Sequence, residues 1–104
     1  MSSVPNKSEK KEEEQNSVDI SLLDIFQLLE LFIVLLNEQA WRYMGLRVDP
    51  RTNEICKDLA KAQVAIECIS SIVDKIESNI DNVEKQRLRS LLTDLQINFS
   101  QQMK

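Results

Sequence analysis

The stretch that decides the fold is Ile20-Ser21-Leu22-Leu23-Asp24-Ile25-Phe26-Gln27-Leu28-Leu29-Glu30-Leu31-Phe32-Ile33-Val34-Leu35-Leu36, in which thirteen of seventeen residues are Ile, Leu, Phe or Val. Strand-like alternation is missing, and the apolar pattern carries on to Met44, so the spacing predicts one long helix over about 20–44. Ser21 with Asp24 three residues later reads as its start signal, and Gly45 as its left-handed stop. On a wheel at about 100° per residue, Ile25, Phe26, Leu28, Leu29, Phe32, Ile33, Leu35, Leu36, Ala40, Tyr43 and Met44 take up half the circumference. Asp24, Gln27, Glu30, Glu38 and Arg42 fall on the other half. Leu23, Leu31, Val34 and Trp41 also fall there, with Leu23, Val34 and Trp41 on one narrow stripe. Such a helix carries more apolar surface than one neighbour covers.

Two further helices follow from this one. Residues 46–57 form a linker with a tight reversal, in which Asp49 opens a turn, Pro50 presets its second position and Asn53 accepts a left-handed backbone. Asp58 caps a second helix over 58–78, whose Leu59, Ala62, Ile66, Ile69, Val73 and Ile76 recur three and four apart as a core seam. Asn79 stops it, and Asp81 with Glu84 forms a capping box for a third helix over 82–101, with Leu88, Leu91, Leu92, Leu95 and Phe99 on one face. Ile97 is out of phase with that face. The expected fold is all-α: three helices, the first long and apolar, a hairpin-like linker, and an antiparallel pair of helices two and three. Residues 1–17 are polar, with charges of both signs, and are expected to be a disordered tail ahead of a single helical domain at 18–104.

Composition narrows the function. The chain has 104 residues, one Gly, no His and a net charge of −4. A single glycine excludes glycine-cradled phosphate loops, and the absence of His removes the commonest general base and metal ligand. Cys56 and Cys68, twelve residues apart, are too distant along a helix to bridge one another and are expected to be small, partly buried side chains. Residues 1–17 lack the apolar core of a secretory signal, so the expected compartment is the cytoplasm. Basic residues near the linker (Arg47, Arg51, Lys57, Lys61) are interleaved with Asp49, Glu54 and Asp58, which argues against nucleic acid. Asp24, Gln27 and Glu30 interrupt the apolar run, which argues against a membrane span. No catalytic, cofactor or metal residues are expected. What remains is burial against protein: a homo-oligomer, with a dimer favoured, or a different protein partner, with Leu23, Leu31, Val34, Trp41 and Ile97 as the interaction residues. The alternative is a membrane-surface helix using the same apolar segment.

An ordered set of residues also resembles a known family. Ala40-Trp41, Gly45-Leu46, Asp49-Pro50-Arg51-Thr52-Asn53-Glu54, Asp58-Leu59, Ala62, Ile66, Lys75, Asn79-Ile80, Glu84, Leu91-Leu92 and Asp94-Leu95 are similar, in order and spacing, to the bacterial domain-of-unknown-function family 1844. The resemblance runs from about Leu23 to Phe99. Asn53 departs from the glycine expected there, and Gln96 from a basic residue. The resemblance implies a small helical bacterial protein and transfers no activity.

Overall fold

A computed structural model describes residues 19–104; the expected 1–17 tail lies outside the described residues. A short 3₁₀ turn at Ile20–Leu22 leads into helix α1 (Ile25–Tyr43), followed by α2 (Leu59–Ile76), a second 3₁₀ turn (Glu77–Asn79) and α3 (Asn82–Gln102). The all-α, three-helix architecture is the one expected. Helix α1 begins five residues later than position 20. Asp24 accepts a hydrogen bond from the Gln27 amide at 2.9 Å, and the Gln27 side chain accepts one from the Asp24 amide at 3.2 Å. This reciprocal box satisfies two donors at once and displaces Ser21 into the preceding turn, where Asp19 holds it.

The end of α1 is set by Gly45 at φ +83°, with Leu46 N–H donating to the Trp41 carbonyl and Gly45 N–H to that of Arg42. That is the six-to-one and five-to-two pattern of a glycine-terminated helix. A Cβ at this position would lie 3.2 Å from the Lys57 side chain as well as in the left-handed region. Asn53 also has positive φ, 59°, and Asp49 and Glu54 pair as an isolated antiparallel bridge across the turn. Asp58 and Asp81 cap α2 and α3 through the Lys61 and Glu84 amides. The Glu84 carboxylate is engaged by Arg87.

Helix α2 is the central element. It packs against α1 on one side and α3 on the other, while α1 and α3 touch each other little. Its seam (Ala62, Ala65, Ile66, Ile69, Val73, Ile76) is buried, joined by Ile33, Ala40 and Met44 of the α1 hairpin arm and by Leu88, Leu92 and Leu95 of α3. The alanines let α1 approach closely. At the far end of α3, Lys57 Nζ donates to Gln102 Oε1 at 3.2 Å, and at its start Arg89 grips both Asp74 (3.0 Å) and Glu77 (2.7 Å) of α2 and its exit turn. These contacts fix α3 antiparallel to α2, on the side of α2 away from Val64 and Cys68. Both cysteines are exposed rather than partly buried, because Cys56 sits in the linker and Cys68 on the uncovered side of α2.

One of the places where α1 meets α3 is a polar cluster. Arg87 donates to both oxygens of Glu84, and the Glu30 carboxyl of α1 is the neighbour that donates a hydrogen bond to Glu84 once Glu30 is protonated. The Glu30 carboxyl is pushed up by that hydrogen bond and by burial, whereas Glu84 is held down at about 2, by Arg87 first and Glu30 second. A raised folded-state value means that Glu30 contributes stability below its ordinary 4.5 and loses it as pH rises through the folded value. Glu84 contributes above 4.5 and loses its contribution as pH falls toward about 2. Glu30→Gln keeps a donor to Glu84 at every pH. It is expected to be more stable than the parent at pH 7 by about 0.5 kcal/mol, the scale of partly screened charge contacts. In urea titrations the gap should close at pH 4 to 4.5; a gap that widens there contradicts the shared proton.

Candidate interaction surface

The apolar half of α1 resolves into two parallel seams. Phe26, Leu29, Ile33, Leu36, Ala40 and Tyr43 recur three and four apart and face α2 and the core. Ile25, Leu28, Phe32, Leu35 and Gln39 recur with the same spacing one residue earlier, rotated about 100° around the axis. This second seam faces outward: Ile25 is 58% exposed, Phe32 41% and Leu35 54%, with Leu28 half-buried. Of the apolar half-circumference read from the sequence, only the first seam faces the core, because the single α2 stripe beside it does not reach the second. A signal for which seam wins is present in the sequence. The inner seam stays apolar to Tyr43 and Met44, whereas the outer one turns polar at Gln39 and Arg42.

The outward seam is continuous with α2. Leu35, Leu36, Gln39 and Tyr43 form one wall of an open groove of about 540 Å³, and Ala60, Val64 and Ala65 form the other, with Lys61 at the rim. Its lining is almost wholly apolar, and Val64 is 60% exposed. Lys61 Nζ sits 5.4 Å over the Tyr43 ring, so the cation covers the mouth of the groove and leaves its floor open. At the other end of α1, Ile20 and Leu22 are exposed.

The five residues singled out from sequence divide differently. Val34 and Ile97 are exposed, 47% and 51%, on α1 and α3. Leu23, Leu31 and Trp41 are half-buried. Trp41 lies over the junction with α3, in a cleft shared with Arg87, Ser90, Leu91 and Asp94. Its Nε1 donates to Asn37 Oδ1 at 3.1 Å, and Arg47 stacks 5.8 Å from its ring. The structure does not bring the five together on one face. The exposed face is carried by Phe32 and Leu35, which the wheel places on the apolar half of α1 apart from those five, and by Val64, which lies outside the α2 seam.

A polar cleft of about 410 Å³ lies beside the linker, lined by Arg42, Tyr43, Asp49, Arg51 and Cys56 among others. Asp49 accepts from the Arg51 amide at 2.9 Å and from its guanidinium at 3.1 and 3.3 Å, with Arg42 at 4.0 Å. The Arg51 contacts hold the Asp49 carboxyl below its ordinary value. Its oxygens are thus committed to closing the turn. Among the described residues no three His, Cys, Asp or Glu side chains converge to hold a metal, and no helix is long and apolar enough to cross a membrane.

No curated protein and no solved structure matches the chain significantly. A family model does, over residues 26–101, from the second residue of α1 to the last turn of α3. The chain belongs to the family described as Domain of unknown function (DUF1844).

Proposed function

We propose that the chain is a non-catalytic, cytoplasmic protein-interaction module that self-associates through the outward seam of α1. The observation that carries this reading is the continuous apolar strip from Ile25 through Phe32 and Leu35 to Val64, with each of these side chains between 41% and 60% exposed. Full burial of a large aliphatic or aromatic side chain contributes about 1.5 to 3 kcal/mol, so half-exposed ones contribute about half that. Four such residues per chain give roughly 6 to 12 kcal/mol for a two-fold pair before association costs of about 4 to 15 kcal/mol. The affinity expected from that balance is modest, in the micromolar range or weaker.

Sedimentation equilibrium from about 5 to 300 µM is expected to show a monomer passing to a dimer. Leu35→Asp should abolish that shift, whereas Ile97→Asp, on α3, should leave it intact. A parent chain that stays monomeric at the highest concentration, or equal effects of the two substitutions, contradicts the reading. Flotation with vesicles of anionic and neutral lipid is expected to leave the chain unbound, because α1 flanks the seam with Asp24, Gln27 and Glu38 and carries Arg42 as its one basic residue, unlike the lysine- and arginine-rich faces of surface-binding helices.

A further inference from the structure

We infer that the groove between α1 and α2 is the socket for the amino-terminal half of α1 of a second copy, laid antiparallel about a two-fold axis near Phe32. The inference rests on the self-association proposed above and specifies its geometry. Three observations select this occupant.

The first is register. Ile25, Leu28, Phe32, Leu35 and Gln39 repeat three and four apart over two heptads, which is the pattern by which one helix seats its side chains between those of another. Ile25 and Gln39 stand seven residues either side of Phe32, so these two positions exchange when a second copy is turned end for end, and Leu28 and Leu35 come within one residue of doing so. Helix α3 already occupies the opposite side of the α1–α2 pair, through Arg89 on Asp74 and Glu77 and through the Trp41 cleft. The vacant side is where a fourth helix completes a bundle.

The second is that the two ends of α1 are unequal and match each other. The carboxy-terminal end carries an apolar groove, and the amino-terminal end carries the uncovered Ile20, Leu22 and Ile25, of which Leu22 is 80% exposed. Ile25 lies seven residues before Phe32 and Gln39 seven after it, about 10 Å each way along the helix, with the exposed Leu22 beyond Ile25 and Tyr43 beyond Gln39. Antiparallel pairing therefore sets Leu22 of one chain at the groove of the other, twice per dimer. A parallel pair sets groove against groove and leaves both leucines in water. The charges agree: Asp19 and Asp24 flank the entering segment, and Lys61 stands at the rim of the groove. A parallel pair opposes like charges at both ends.

The third is area. Ile20, Leu22, Ile25, Phe32, Leu35 and Val64 together leave roughly 500 Å² of apolar side-chain surface exposed, at about 150 Å² or more per large side chain. An ordinary interface buries about 800 Å² per partner, a little over half of it apolar, which is about 450 Å². The patch is the size of one such interface.

Disulfide trapping tests the arrangement in a full-length Cys56→Ser, Cys68→Ser background shown by sedimentation to retain the parent's association. Ile25→Cys and Gln39→Cys are made separately, both at exposed positions. Under mild oxidation, each variant alone is expected to stay uncrosslinked, because the two-fold sets like positions about 20 Å apart, well beyond disulfide reach. An equal mixture is expected to crosslink in up to one half of the chains, the statistical share of mixed pairs. Crosslinking of each variant by itself means parallel pairing and overturns the inference. No crosslink in a mixture that still sediments as a dimer places the interface elsewhere, overturning the socket while self-association stands. A background chain that is monomeric where the parent dimerises is replaced by Cys56→Ala, Cys68→Ala; a parent that never dimerises overturns both readings.

Discussion

Ile69→Ala is expected to cost about 3 to 4 kcal/mol of folding stability and to lower the melting temperature by about 15 °C or more. Ile69 is wholly buried at the middle of α2, the helix that packs against both of the others. Truncating it removes three side-chain carbons from the core of the helix that packs on both others and leaves a void that neither neighbour can close without losing its hold on the rest. A described fold of under 90 residues has a total stability of only about 5 to 10 kcal/mol, so this single change consumes a large share of it. Val64→Ala, on the same helix but 60% exposed, is the control and is expected to move the melting temperature of the dilute protein by no more than a degree or two. Thermal and urea unfolding followed by circular dichroism at low-micromolar concentration distinguish the two. Similar losses at both positions mean that α2 does not hold the core in the way its burial indicates.

Local chemistry was legible in the sequence wherever one residue or one short pair decides the outcome. Gly45, Asn53, Asp58 and Asp81 do what their side chains, or the lack of one, allow, and three helices appear where the punctuation places them. The start of α1 was misread because Ser21 and Asp24 are both competent caps, and only the return bond from Gln27 breaks the tie. The orientation of α1 was harder for a different reason. Its two seams have the same spacing and nearly the same apolarity over their first ten residues, so no local rule decides which turns inward; the long apolar run through Tyr43 and the small Ala62 and Ala65 opposite settle it through packing. Trp41 was placed on the polar side of the wheel and found instead against α3, and the Glu30–Glu84–Arg87 cluster joins residues more than fifty positions apart. Contacts of that range leave no trace in spacing. The interaction surface suffered most, since a residue's exposure is what remains after every other element has docked.

Neighbouring residues on α1 are for that reason expected to respond in opposite ways to the same substitution. Ile33→Asp buries a carboxylate at a position with no solvent exposure, where none of the surrounding side chains in the core cluster offers a partner. The cost exceeds about 4 kcal/mol, comparable with the whole stability of the fold, and the variant is expected to be unfolded or to fold only as the carboxyl becomes protonated in acid. Phe32→Asp, one residue earlier and 41% exposed, rotates the new charge about 100° into solvent. The dilute variant is expected to keep its helical signal and to lose about 1 kcal/mol or less, yet to remain monomeric at concentrations where the parent associates. Because a dimer binds only the folded state, the parent's melting temperature should rise with protein concentration and that of Phe32→Asp should not. Should Phe32→Asp unfold as Ile33→Asp does, the outward seam is part of the core and the protomer has no spare face. Should it stay folded while its melting temperature still climbs with concentration, the chains meet through a surface other than this one.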